Sequence, residues 1–364
     1  MHKGVATVAQ LSGFDEIIDA RTPAEFAEDR IPGAVNLPVL DNEQRIIVGT
    51  LYKQQSVFEA RRLGGALVAA NIARHLQTYL KDKPRNWRPL IYCWRGGQRS
   101  GSFATWLRMV GWDAHQLQGG YKSFRHQVIA DIERLAPKLQ WRVVCGPTGS
   151  AKTRVLEALS RAGAQTLDLE DLAAHKGSVL GALPDRPQPT QKGFETTVRT
   201  RLLELDPDRP VYVEAESRKI GLVFVPEPLI LAMRQAPCVA VDASRDARLE
   251  FLLRDYAYLG DDPSRLQANI ARLAEHQSRE TLVRWHDFAA SHALPELFAE
   301  LIDLHYDPLY RRSQNGNYAG FTSAPRLPAD DLSDAGIDEL AHRILQSEQK
   351  PRADTSATTD GPAT

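Results

Sequence analysis

Apolar residues in this chain come in short continuous runs that end in an acid or a glycine turn, each followed by a stretch with helical spacing. Glu16-Ile17-Ile18-Asp19 reads as a strand, Arg21 to Phe26 as a helix start with Pro23 in its first turn, and Ile31 to Pro38 as an extended, turn-rich passage. Pro89-Leu90-Ile91-Tyr92 is the next buried strand, with a helix from Ser100 to Val110. A second series opens with the strand Trp141 to Cys145 and a helix from Lys152 to about Arg161. Val211 to Glu216 and Val239 to Ser244 are expected beside that strand in a parallel sheet. The pattern predicts an α/β protein: one α/β domain over 12–128, a second, parallel one over 138–245, a helical C-terminal region over 246–346 and a disordered tail over 347–364.

Composition changes little in this picture. The 364 residues suffice for two or three domains, and 43% hydrophobic with 25% charged residues is ordinary for a folded, water-soluble chain. No apolar run is long enough to span a bilayer, and Met1-His2-Lys3-Gly4 lacks a signal-peptide stretch, so a cytoplasmic protein without membrane partners is expected. The three cysteines, Cys93, Cys145 and Cys238, have no metal-ligand spacing, and the last two sit in apolar strands as core residues. A net charge of −1 provides no global attraction to nucleic acid, so an RNA partner would need local patches.

Two loops carry chemistry. In Cys93-Trp94-Arg95-Gly96-Gly97-Gln98-Arg99 a cysteine stands at a strand end, ahead of a helix beginning near Arg99. Inward N–H groups and a helix N-terminus favour a thiolate, and Arg95 and Arg99 could hold an incoming anion. Five residues separate Cys93 from Arg99, a spacing shared with Cys/Arg phosphatases, so a phosphatase acting on small anions stays open as an alternative.

In Gly146-Pro147-Thr148-Gly149-Ser150-Ala151-Lys152-Thr153 the strand, turn and helix follow in the order that a phosphate loop requires. Gly146, Thr148, Gly149, Ser150 and Ala151 would turn N–H groups toward phosphate oxygens, Lys152 adds charge, and the Thr153 hydroxyl could reach Mg²⁺. Ala151 stands where the signature has its last glycine, which is harmless if its backbone is right-handed helical. Glu214 or Glu216 could hold a metal or orient a nucleophile, or be a solvated strand end; Asp168, Glu170 and Asp171 read as a solvated acidic face.

Residues 19–26 and 31–38, the Cys93 loop and Gly119-Gly120-Tyr121 resemble a rhodanese domain, in which the loop cysteine carries a persulfide or perselenide. A rhodanese-like domain followed by a P-loop NTPase-like domain, with Val48 to Gln54, His175-Lys176-Gly177-Ser178, Phe194-Glu195, Glu214 to Gly221 and His305 to Tyr310, resembles the tRNA 2-selenouridine synthases. The resemblance implies a transferase that replaces sulfur by selenium at C2 of the wobble 2-thiouridine in the tRNA anticodon arm, through S-geranylation. It also implies geranyl diphosphate and selenophosphate as co-substrates, no tightly bound cofactor, and a selenophosphate-producing enzyme as a partner. On that reading Cys93 guides selenium, with Arg95 and Arg99 on the phosphate of selenophosphate. Trp94 would stack on a base, line the prenyl pocket or simply pack. Gly64 and Gly65 would admit an alkyl chain or form a helix-entry turn. Arg61, Arg62, Lys122, Arg125, Arg218, Lys219, Arg311 and Arg312 are candidate phosphate contacts. The alternative is a rhodanese sulfurtransferase or Cys/Arg phosphatase with a regulatory P-loop.

Overall fold

The computed structural model describes residues 4–178 and 180–349 and divides the chain into two compact units. The units do not follow chain order: residues 189–203 pack with residues 1–135, and residues 136–188 and 204–364 form the other unit. This corrects the expected contiguous domain over 138–245.

In the first unit the strands β1 (Val5–Ala6), β2 (Glu16–Asp19), β3 (Val35–Asn36), β4 (Pro89–Tyr92) and β5 (His115–Leu117) form a parallel sheet in the order β1-β5-β4-β2-β3. Its helices are α1 (Pro23–Glu28), α2 (Asn42–Gln54), α3 (Val57–Gln77), α4 (Gln98–Val110) and α5 (Gly120–Leu135). Helix α1 starts where Thr22 and Glu25 cap each other and Pro23 fixes the first turn. Every residue of β4 is buried, as a central parallel strand requires, and its Ile91 shares a core cluster with Ile18, Phe103, Ala104 and Leu107.

The second unit has β6 (Gln140–Cys145), α6 (Lys152–Arg161), β7 (Gln165–Leu167) and α7 (Leu169–Ala173) before the chain leaves for α8 (Gln191–Glu204). It continues with β8 (Pro210–Glu214), the short antiparallel pair β9 (Lys219–Ile220) and β10 (Val223–Phe224), α9 (Glu227–Gln235), β11 (Cys238–Asp242) and α10 (Arg245–Asp255). Helices α11 (Pro263–Ala271), α12 (Arg279–Ala290), α13 (Leu294–Glu300) and α14 (Asp307–Asn317) precede β12 (Arg326–Pro328) and α15 (Asp334–Gln349). The parallel sheet runs β12-β11-β6-β8-β7, which puts the strand before the phosphate loop at its centre between β8 and β11. The mostly helical region over 246–346 also contributes to this sheet and its core. Its β12 extends this sheet, and α15 lays Ile337, Leu340, Ala341 and Ile344 into the core beside Val155, Leu156 and Leu159 of α6. Of the expected tail, residues 347–349 end α15, and 350–364 lie outside the described residues.

Helix α8 belongs to the first unit through polar contacts. Thr196 Oγ1 donates to the buried Asp29 carboxylate at 3.0 Å, Arg199 Nε donates to Asp131 at 2.9 Å, and Arg125 pairs with Glu195. Tyr121 Oη also donates to Asp29, at 2.7 Å, so the buried carboxylate is satisfied from α5 and α8 together.

Candidate active sites

Cys93 follows β4 and is 4% exposed, held at the sheet's C-terminal edge where parallel α/β folds place their ligands. Ser100 Oγ donates to its Sγ at 3.1 Å, and Gln116 Nε2 donates to Gly96 O, Gly97 O and Ser100 Oγ at 2.8, 3.0 and 2.9 Å. The loop is clamped onto the start of α5, since Tyr121 N donates to Cys93 O at 2.8 Å and Lys122 N to Trp94 O at 2.9 Å. Gly96 and Gly120 both have left-handed backbones, with φ +63° and +60°. A Cβ on Gly120 would lie 2.2 Å from Cys93 O, so only glycine lets the two segments meet.

Arg95 is exposed and makes no ion pair among the described residues. Arg99 is committed to Glu25, its Nη1 donating at 2.6 Å. Burial alone would push the Glu25 carboxyl up, but Arg99, the Thr22 N–H and Arg21 together hold it below the usual carboxylate range. Asp19 and Arg21, fully buried, form a second pair at 2.6 Å, with the guanidinium 4.0 Å from the Tyr121 ring centre. Trp94 is half-buried, 5.3 Å from Tyr121, with the Lys192 ammonium of α8 5.6 Å from its ring.

The phosphate loop is built as expected in outline and differs at Ala151. That residue adopts a left-handed backbone, φ 57° and ψ 27°, rather than the right-handed one anticipated, and so carries a strain of about 1–2 kcal/mol that glycine would not. Gly149 also has positive φ, +84°, and its missing side chain makes room for Leu252. Lys152 Nζ donates to Gly146 O at 3.0 Å, folding back over the loop, while Ser150 is buried with Oγ on Pro147 O at 2.8 Å. The buried Arg248 of α10, which the sequence did not reveal, braces this loop. Its Nε donates to Thr148 O at 2.9 Å, and it pairs with Asp307 at 2.6 Å.

Beside the loop, one carboxylate oxygen each of Glu170, Glu214 and Glu216 lies within 4.8 Å of the others. Thr153 Oγ1 donates among them, 3.0 Å from Glu170 and 3.2 Å from Glu214. Burial first, and for Glu170 and Glu214 the neighbouring carboxylates, push all three carboxyls up. Glu170 is thus part of the site rather than of a solvated face, and Gly177 permits it: a Cβ there would lie 2.3 Å from Glu170 Oε1. Asp168 instead caps α7, pushed up to about 6 by burial, and Asp171 pairs with Arg186. Three crowded carboxylates and a hydroxyl are a hard-oxygen donor set, which fits Mg²⁺.

The phosphate loop and the three glutamates line one cavity of about 540 Å³. Lys152, Thr153 and the glutamates supply its polar lining, and Phe251, Leu252, Tyr256, Leu309 and Tyr310 supply apolar surface. A π-helical segment, Leu301–Tyr306, contributes His305 and Tyr306 to the lining.

The other expected residues differ in how far they are free to contact a ligand. Gly64 and Gly65 lie inside α3 and not at a helix entry. Gly64 is buried where a Cβ would stand 3.1 Å from Val48 Cγ1, so it allows α2 and α3 to approach, and Gly65 is exposed. Arg125 is occupied by Glu195, and Arg62 by Glu59. Arg61, Lys122, Arg218 and Lys219 are exposed; the side chains of Arg311 and Arg312 lie outside the described residues.

Comparison with known proteins matches residues 5–127 to the rhodanese-like domain family and residues 139–281 to the tRNA 2-selenouridine synthase AAA domain family. A protein of Alcanivorax borkumensis called tRNA 2-selenouridine synthase is 32% identical over 81% of this chain and 88% of its own length. Proteins with the same name from Nitrosomonas europaea and Nitrosomonas eutropha are 39% and 38% identical over 66% of this chain. Against these two the chain spans 63% and 62% of the relative's length.

Proposed function

The chain belongs to the tRNA 2-selenouridine synthase family, and on that premise we propose that it replaces sulfur by selenium at C2 of a wobble 2-thiouridine in tRNA. The observation that carries the reading is a cavity lined both by phosphate-loop groups and by aromatic and aliphatic side chains, in a chain that also holds a clamped cysteine loop. Such a cavity suits a diphosphate with a hydrocarbon tail, and geranyl diphosphate is the proposed donor.

In the first stage the thiocarbonyl sulfur forms a C–S bond to the allylic carbon, the C–O bond to diphosphate breaks, and the N3 proton of the base is lost. Loop N–H groups and Lys152 stabilise the departing diphosphate. Thr153, Glu170, Glu214 and Glu216 would hold Mg²⁺, which supplies positive charge against the phosphates. In the second stage the selenium of selenophosphate forms a bond to C2, the C2–S bond breaks and the alkylated sulfur takes a proton and leaves as a thiol, a far better leaving group than a bare thiocarbonyl sulfur. Water cleaves the P–Se bond to release phosphate, and a proton returns to N3.

Cys93 guides selenium, with Ser100 Oγ steering its sulfur and Arg95 the exposed cation at the loop. Capture of Arg99 by Glu25 weighs against a Cys/Arg phosphatase, which needs that guanidinium on its substrate. The partners on this reading are tRNA and a selenophosphate-producing enzyme, in the cytoplasm. No helix among the described residues is long and apolar enough to cross a membrane.

The test is mass spectrometry of nucleosides from 2-thiouridine tRNA incubated with both co-substrates. Wild type should give selenouridine, Cys93→Ser should accumulate geranyl-thiouridine, and Lys152→Ala should leave thiouridine untouched. Folded wild type that modifies no nucleoside, but turns over thiosulfate or an aryl phosphate, would overturn the proposal.

A further inference from the structure

Helices α2 and α3 form a hairpin inserted between β3 and β4. Its inner face is spent on packing: Ala60, Gly64, Asn71 and Ile72 are buried, and Gly64 sits against Val48. Its outer side keeps two aromatic rings in water, Tyr52 of α2 at 54% and Phe58 of α3 at 71% exposure, and Ile46 of α2 is 68% exposed. Cations share these stripes. Arg45 and Tyr52 are one heptad apart on α2, as are Ile46 and Lys53, while Phe58, Arg61 and Arg62 fall on one side of α3 at i, i+3 and i+4. Arg62 pairs with Glu59, whereas Arg45, Lys53 and Arg61 form no ion pair among the described residues.

We propose that this outer face is where the protein holds the unpaired bases of the tRNA anticodon loop, Tyr52 and Phe58 stacking on bases while Arg45, Lys53, Arg61 and Arg62 take phosphates. The proposal rests on the tRNA reading above and adds the surface. Arg45, Lys53 and Arg61 outnumber Glu43, the exposed acid at the start of α2 that also makes no ion pair among the described residues, so in a chain of net charge −1 the face is locally positive and complements a polyanion. A duplex would use the cations and leave the rings idle. Splayed bases use both, because each base has a face to stack and a phosphate beside it. A protein partner would call for a drier patch than rings interleaved with solvated guanidinium groups.

The experiment is fluorescence anisotropy of an anticodon stem–loop RNA with the full chain across a salt series, paired with kcat/KM on 2-thiouridine tRNA. Phe58→Ala and Tyr52→Ala should each weaken binding by roughly 5- to 100-fold, the range for losing one stacked base. Arg61→Gln with Arg62→Gln should flatten the slope of log K against log salt by about 1.4 to 1.8. Folded variants that bind RNA as wild type does, and keep its kcat/KM, would overturn the surface assignment. So would a wild-type dimer that Phe58→Ala dissociates without loss of RNA binding, giving the face to a second copy. If wild type modifies tRNA, only the surface fails in either case; wild type that neither binds nor modifies tRNA would sink the functional reading itself.

Discussion

Arg99 donates to the Glu25 carboxylate from Nη1 at 2.6 Å and from Nη2 at 3.2 Å, so the arginine six positions beyond the loop cysteine grips its own fold. Glu25 also accepts the Thr22 N–H at 3.0 Å in the capping box of α1. One carboxylate therefore starts a helix and restrains the second arginine of the cysteine loop.

Glu25→Gln should cost about 1–2 kcal/mol at pH 7, from the weakened cap and lost ion pair. Because the folded state lowers this carboxyl's pKa, the wild-type advantage is complete above the unfolded value of about 4.3 and disappears as pH falls through the lower folded one. Urea melts of both proteins between pH 7 and pH 3 should converge at the acid end. A difference that persists at pH 3 would assign the loss to shape rather than charge.

The glutamate cluster behaves with the opposite sign. With Glu170, Glu214 and Glu216 all shifted upward, the native protein holds protons that the unfolded chain has released, so its stability falls as pH rises above about 4.3. Glu214→Gln should raise the Tm in chelator at pH 8 by several degrees, corresponding to about 1–2 kcal/mol. Mg²⁺ should stabilise wild type more at pH 8 than at pH 5, and the variant less than wild type. Calorimetric scans at both pH values, with and without Mg²⁺, test this.

At position 151 glycine and valine should diverge. Ala151→Gly removes left-handed strain of about 1–2 kcal/mol but loses a buried methyl worth about 0.8 and adds unfolded-state entropy, so stability should move by less than about 1 kcal/mol. Ala151→Val places a β-branched residue at φ 57° and should lose about 2 kcal/mol or more. Denaturation and calorimetric titration with geranyl diphosphate would separate them, with binding kept in the glycine variant and weakened in the valine one.

Removal of Arg248 should loosen the phosphate loop from behind. Arg248→Ala strips Thr148 O of its donor and leaves the half-buried Asp307 unpaired, a loss of about 2–4 kcal/mol. Lysine should rescue this poorly, because it cannot reproduce the bidentate grip on Asp307 while reaching Thr148. Equal melting and equal diphosphate affinity for the Ala, Lys and wild-type proteins would contradict this role.

The strands and helices that carry the two loops were legible in the chain, because both signals are local. Four-residue apolar runs such as Pro89–Tyr92 mark buried parallel strands, and helix α6 occupies Lys152–Arg161 as its spacing predicts. Tertiary structure decided which side chains face those loops, since side-chain partners lie far apart in sequence. Glu170 looked like one of three solvated acids until Gly177 and β8 enclosed it, and Arg248 had no local mark of its task. The same holds for α8, which buries Phe194, Val198 and Leu202 but carries no local mark of the unit it packs with. It joins the first because Asp29 and Asp131 are carboxylates that Thr196 and Arg199 satisfy, and a buried carboxylate must find donors wherever the chain can bring them.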